Sequence, residues 1–238
     1  GRYANRINHA MFSVNGETFY LAENIPGGCL HSGNSYQFRP WQSETFEDEQ
    51  GAHIVFYLDS PHMDQGFPGN LKVKTEYVVG KDYSITINYE YESDKDTPVN
   101  LTNHSYFNLN GENSDSILEH ELWIDADAYT PANEEMIATG EILDVTGTAM
   151  DFRSPKKIGR DIEADELPLK IGSGYDHNWA INEHEAGKTI LKLSSEESGI
   201  CLDVCTDYPG IQVYTGNFLC DKPGKRGRIY PNRSAVAL

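Results

Sequence analysis

Apolar residues recur at every second position along most of this chain, a period that suits strands and leaves helices almost no room. In SITINYEY, at 84–91, Ile85, Ile87, Tyr89 and Tyr91 share one face, with Ser84, Thr86, Asn88 and Glu90 on the other. KTEYVV precedes that run and joins it through Gly80-Lys81-Asp82, a short hairpin connection. HIVFYL (53–58), HELWIDA (120–126), KTILKL (188–193), ICLDV (200–204) and GIQVYTG (210–216) read as further strands. Turn clusters such as Phe67-Pro68-Gly69-Asn70 and Tyr208-Pro209-Gly210 separate them. No stretch of about a dozen residues carries the i, i+3, i+4, i+7 spacing of a helix face. Gly159–Leu167 predicts a helical turn or two at most. The expectation is an all-β fold, a large antiparallel β-sandwich or barrel. No repeat, low-complexity tract or linker breaks the pattern, so residues 1–238 read as a single domain.

Charge narrows the function classes. Among 238 residues, 19 Lys and Arg stand against 37 Asp and Glu, a formal net charge of −18. Nucleic-acid backbones and anionic membranes would be repelled, whereas a neutral small molecule is compatible. Cys29, Cys201, Cys205 and Cys220 are scattered with no Cys-x-x-Cys pair, which fits reduced thiols in a cytoplasmic protein. There is no signal peptide, and no apolar run approaches the ~18 residues of a membrane span. Three Asn-x-Ser/Thr matches occur, at Asn100, Asn103 and Asn232; two overlap inside one expected strand and read as chance. The chain opens at Gly1 without an initiator Met and closes on the apolar alternation SAVAL, as a segment of a longer protein would.

No Gly-rich phosphate loop, His-Glu-x-x-His motif or Gly-x-Ser-x-Gly elbow occurs. The candidates lie elsewhere. NLTNHSYFNLNG, at 100–111, loads an expected strand with hydrogen-bonding side chains and one imidazole, His104, the side-chain type that can carry a proton near neutral pH. Alternation predicts Thr102, His104, Tyr106 and Asn108 on one face, with Asn103, Ser105, Phe107 and Leu109 on the other. A hydroxyl-rich ligand needing proton transfer fits the first face, and so does a structural hydrogen-bond network around a core histidine. In GRYANRI, Arg2, Asn5 and Arg6 offer guanidinium and amide donors, for a ligand or for ion pairs. NIPGGCLHSG places His31 among glycines, where a ligand can approach. GSGYDHNW sets Asp176 beside His177, with Tyr175 and Trp179 near, as in sites where a carboxylate takes sugar hydroxyls and a ring stacks on the sugar. His31, His104, Asp176 and His177 show no metal-ligand spacing, so no metal is expected. GIQVYTGN puts Gln212 and Tyr214 on one strand face and decides nothing by itself.

GRYANRI, LHSG, DQGFPGNLKV, NLTNHSYFNL, GYDHNW and IQVYTGN occur in an order that resembles the galactose mutarotase, or aldose 1-epimerase, family across essentially the whole chain. The resemblance implies a galactose mutarotase-like β-sandwich, often called a supersandwich, with a sugar in an open cleft. It implies interconversion of the α and β anomers of aldohexoses such as galactose and glucose, without a cofactor. His104 matches the family's catalytic acid; Asn5, Arg6, His31, Ser105, Tyr106, Asp176 and Gln212 match positions that bind sugar hydroxyls or orient the histidine. The chemistry needs a proton delivered to the ring oxygen and another taken from the anomeric hydroxyl. In the family a glutamate takes the second proton, directly after a short apolar strand; here SAVAL ends at Leu238, so that glutamate would be the following residue. The strands that normally precede GRYANRI are also absent, and Ser32 stands where many relatives have glycine. Two alternatives remain beside the epimerase: a sugar-binding module without turnover, and an epimerase of hexose 6-phosphates using Arg153, Lys156 and Lys157.

Overall fold

The computed structural model describes residues 1–33, 35–183 and 185–238. Its chain is built from antiparallel strands, with one short α-helix among the described residues, at Leu167–Gly172. It divides into two compact units, Gly1–Asn103 and His104–Leu238.

The first unit is organised by a meander of Gln42–Glu47, Gly51–Ser60, Leu71–Gly80 and Ile85–Ser93. Val, Ile, Tyr and Thr dominate these strands and suit the half-buried pleat. The pairing runs without a slip from Gly51↔Gly80 to Ser60↔Leu71, and from Leu71↔Ser93 to Val79↔Ile85. Leu58, Leu71 and Val73 pack with Tyr36 and Leu101 in one apolar cluster. Ala10, Leu21, Cys29 and Phe67 form another. Arg2 is 1% exposed and is a structural clamp. Its Nη1 donates to the Pro68 carbonyl at 2.7 Å and its Nη2 to Ser60 Oγ at 2.7 Å, with the guanidinium 5.5 Å over the Phe67 ring. Breaking a buried charge's partners is among the costlier single changes, and Arg2 is held in this way.

The second unit is a two-layer sandwich. One layer holds six strands in the order Leu143–Asp144, Ala128–Thr130, Asp176–Ala180, Gly210–Tyr214, Val236–Ala237, Tyr106–Phe107. The other holds Lys156–Lys157, Glu121–Ile124, Thr189–Ser194 and Cys201–Cys205. Alternation sends Tyr129, His177, Trp179, Ile211, Val213 and Val236 inward from the first layer, and Leu122, Ile124, Leu191 and Leu193 inward from the second. Each fully buried aliphatic side chain of this size contributes about 1.5–3 kcal/mol. Trp179 is fully buried with its Nε1 donating to the Met150 carbonyl at 3.0 Å, so its one polar atom is satisfied.

All four thiols are free, Cys29 buried and the other three exposed. Among the described residues no helix is long and apolar enough to cross a membrane. The strand expected within 100–111 is much shorter than its alternation predicts: Tyr106–Phe107 pairs as a strand, Asn100 makes an isolated parallel bridge to Tyr3, and Leu101–Ser105 is irregular. Its amides explain why. Asn103 Nδ2 donates to Tyr77 Oη at 2.9 Å, and Asn108 Nδ2 to the Ser234 carbonyl at 2.8 Å, so side chains replace a ladder.

Candidate active site

Directly paired residues in an antiparallel sheet share a face. The six-stranded layer pairs Asp176 with Tyr214, Tyr214 with Ala237, and Ala237 with Tyr106. Four strands therefore place Asp176, Tyr214, Ala237 and Tyr106 in one row, on the face turned away from the core. Gln212, two residues from Tyr214, joins the same face and donates through Nε2 to Asp176 Oδ1 at 2.7 Å. His104 lies two residues before Tyr106, and their rings stack with centroids 5.1 Å apart and planes at 29°. Tyr106 meets Tyr214 edge-on at 6.2 Å. Ser105, between them in sequence, is exposed and lies outside the paired strand.

Burial pushes the Tyr106 phenol up, and the Asp176 carboxylate adds to it. Burial likewise pushes Tyr214 up to about 12, against the hydrogen bond it accepts from the Phe218 N–H at 2.9 Å. Both phenols are neutral at pH 7 and able to donate. The row thus offers an imidazole, two phenols, an amide and a carboxylate on one sheet face, a set suited to hydroxyl recognition with a proton carrier at one end.

What holds the row is the strand start at Asp176. Gly174 sits at φ +132°, where a Cβ would overlap the Asn217 side chain. Asn217 is 4% exposed and its Nδ2 donates to the carbonyls of Gly172 and Tyr175 at 2.9 and 3.0 Å. Thr215, fully buried, donates to Asn217 Oδ1 at 2.7 Å. The TGN of IQVYTGN therefore ties the Gly210–Tyr214 strand to the one carrying Asp176. The sequence pattern set Tyr214 beside Gln212 on one strand face but did not mark Thr215 and Asn217; two polar residues within three positions after a strand were the available signal.

Two readings of GSGYDHNW are corrected. Asp176 and His177 are neighbours in sequence, but they point to opposite faces. His177 is 3% exposed, edge-on to Tyr129 and Trp179, and its Nδ1 accepts from the Asp176 N–H at 3.1 Å. Burial pulls its pKa down to about 4, with a hydrogen bond to the Pro168 backbone working against that. Tyr175 and Trp179 are core residues that present no ring to the Asp176 face; the aromatic neighbours there are Tyr214 and Tyr106.

In the first unit, Asn5, Arg6 and His31 come together. Arg6 pairs with Leu30 across the strands Arg6–Asn8 and Gly28–Leu30. Arg6 Nη1 donates to Asn5 Oδ1 at 3.2 Å, and the Asn5 N–H donates to His31 Nδ1 at 3.1 Å. That bond leaves the proton of a neutral His31 on Nε2, where it is a donor. Asn5, His31 and Ser32 all have φ between +51° and +59°, rare for side-chain-bearing residues. Such outliers persist where the surroundings over-determine them, and they cluster at ligand sites. Ser32 Oγ supplies part of that constraint: it accepts from the Tyr3 N–H at 2.7 Å and donates to the Tyr3 carbonyl at 3.0 Å.

Among the described residues no three His, Cys, Asp or Glu side chains gather as metal ligands. Arg153 is paired with Asp127 and Asp151, Lys156 with Asp161, and Lys157 with Glu119. Each basic group considered for a phosphate is thus matched by a carboxylate.

The aldose 1-epimerase family model matches residues 1–238. Galactose mutarotase of Rattus norvegicus is 38% identical over 240 residues, spanning all of this chain and 67% of that protein. Aldose 1-epimerase of Haemophilus influenzae is 40% identical over 241 residues, spanning all of this chain and 68% of its own. The crystal structure of galactose 1-epimerase from Lactobacillus acidophilus superimposes with a TM-score of 0.88 at 28% identity, covering this whole chain and 68% of that one. The chain thus spans about two thirds of the length of these relatives.

Proposed function

This chain belongs to the aldose 1-epimerase family, and on that premise we propose that it acts on galactose and glucose with His104 as the acid at the ring oxygen. The observation that carries the assignment is the stack of His104 on Tyr106 at the end of a sheet row that also holds Asp176 and Gln212. An imidazole gives and retakes a proton near pH 7, which ring opening and reclosure both require. As the imidazolium protonates the ring oxygen, the C1–O5 bond breaks and a base removes the anomeric hydroxyl proton, leaving the open aldehyde. Rotation about C1–C2 and reclosure with the roles reversed gives the other anomer. In this reading the base is a glutamate, by analogy with the family's chemistry. Asp176 accepts from sugar hydroxyls, Gln212 orients that carboxylate, and Tyr106 and Ser105 donate beside the imidazole. In the first unit, Asn5, Arg6 and His31 match the family's hydroxyl-binding positions and offer amide, guanidinium and Nε2–H donors.

The partner is a small neutral aldohexose; a net charge of −18 opposes nucleic acid and anionic membrane as partners. Four free thiols suit a reducing, cytoplasmic setting. Galactose is favoured over its 6-phosphate because Arg153, Lys156 and Lys157 are each matched by a carboxylate.

Polarimetry of freshly dissolved α-D-galactose tests the reading, on this chain and on one continued past Leu238 by its natural coding sequence. In the continued chain, His104→Gln should slow mutarotation by about 10²–10⁴-fold. Equal rates with and without the imidazole overturn His104 as the acid. Sugar binding without turnover in both chains would make this a binding module. Displacement of galactose by its 6-phosphate at lower concentration would favour the phosphosugar reading.

A further inference from the structure

Tyr106 and Tyr214 sit on strands that are not neighbours, because Val236–Ala237 runs between them and pairs with both. Adjacent strands lie ~4.8 Å apart, so the two tyrosine backbones are separated by about twice that distance. Their rings nonetheless meet with centroids at 6.2 Å and planes at 71°, within the range favoured for edge-to-face aromatic pairs. The residue beneath this contact is Ala237, the register partner of both tyrosines. A single methyl group leaves the space above the middle strand open for the rings to lean together. A larger side chain on that face would stand between them.

Tyr214 is itself held at the far end of its ring, where its Oη accepts from the Phe218 N–H at 2.9 Å. Tyr106 is held on one side by Tyr214 and presents its other surroundings to His104, stacked at 5.1 Å. A fixed point on the backbone at Phe218 is therefore connected, ring by ring, to the imidazole. His104 lies two residues before the start of the paired strand at Tyr106.

We propose that Tyr214 is a positioning residue for His104, acting through Tyr106 over the short side chain of Ala237. The inference rests on the reading of His104 as the acid for its consequence in turnover, though not for the geometry itself. Tyr214 contributes orientation and takes no proton. Losing one aromatic pair of this kind corresponds to about a two- to twelvefold effect, and it should fall on kcat more than on KM.

The test separates positioning from packing by reading the imidazole without substrate. The ¹H–¹³C resonances of the His104 ring feel the ring current of Tyr106, so they report the stack directly. Tyr214→Ala and Ala237→Leu are expected to shift those resonances, while Tyr214→Phe, which keeps the ring, should restore most of the wild-type position. The remaining amide spectrum shows whether each variant is folded. Should Tyr214→Ala fail to fold, Ala237→Val provides a milder wedge at the same point. Unchanged His104 resonances in the folded Tyr214→Ala and Ala237 variants overturn the proposal. The NMR outcome stands whether or not His104 is the acid, and the polarimetry of His104→Gln decides that role separately.

Discussion

Gln212 and Asp176 are joined by a 2.7 Å hydrogen bond from Nε2 to Oδ1, across two adjacent strands and on the face turned away from the core. The two residues lie 36 positions apart in the chain, and the bond exists because Asp176 pairs with Tyr214. A charge-assisted bond of this type orients the carboxylate.

The first prediction follows from that pair. Gln212→Ala should weaken galactose binding about fivefold to twentyfold with the fold intact, and Asp176→Asn should weaken it more. In a double-mutant cycle the two should couple by about 1 kcal/mol, as side chains in contact do. Strict additivity, measured by calorimetry, would show that Gln212 does not act through Asp176.

His177 gives a prediction about pH. Its folded pKa is lowered to about 4, below the ordinary 6.5, because burial disfavours the imidazolium. The unfolded chain binds the proton more readily, so this stability is present above about pH 6.5 and is lost as pH falls toward 4. The whole step is about 3 kcal/mol. Urea unfolding between pH 7 and 4.5 should show that loss, and His177→Leu should flatten it. His120, buried and also lowered by burial, contributes in the same direction and leaves a residual slope. Parallel pH profiles for the two proteins would exclude His177 as the source.

His53 has the opposite sign. Its Nδ1 meets Glu76 at 2.9 Å and its Nε2 meets Asp48 at 3.0 Å, with the ring stacked on Phe46 at 4.4 Å. Glu76 first, then Asp48, raises its pKa above the ordinary value. Its contribution is complete below about pH 6.5 and is lost as pH rises through the folded pKa. Glu76→Gln should remove part of this alkaline loss, seen as a flatter urea midpoint from pH 6 to 9. A midpoint with unchanged slope would contradict it.

Ser32 tests the loop that carries His31. Ser32→Ala removes both bonds to Tyr3 and keeps a side chain at φ +58°, whereas Ser32→Gly removes the bonds but relieves the left-handed strain. Ala should therefore cost about 2 kcal/mol and Gly about 1 kcal/mol. If Gly proves the worse of the two, left-handed strain at Ser32 is not a cost here; if neither variant loses stability, the hydroxyl is not what sets this turn.

The strand pattern was legible because alternation is a local property. Leu71–Gly80 and Ile85–Ser93 follow from β-branched and aromatic residues at every second position, and they are found where the alternation puts them. The same rule failed over 101–105, where the Asn103 amide bonds to the Tyr77 hydroxyl and no strand forms. Adjacency in the chain, which set Asp176 beside His177, misled for the opposite reason: a strand turns consecutive residues to opposite faces, as alternation requires.

By itself, then, the sequence determined the all-β class, the run of antiparallel strands, and the residues equipped for proton transfer and hydroxyl binding. Tertiary structure decided which of them meet. Tyr214 is indistinguishable from a surface strand tyrosine until Val236–Ala237 pairs between it and Tyr106, and Arg2 is indistinguishable from a ligand-binding arginine until Ser60 and Pro68 close around it. The physical reason is register. Which side chains share a row across four strands depends on hydrogen bonds between segments up to 131 residues apart, the separation of Tyr106 and Ala237, and no local pattern encodes that pairing.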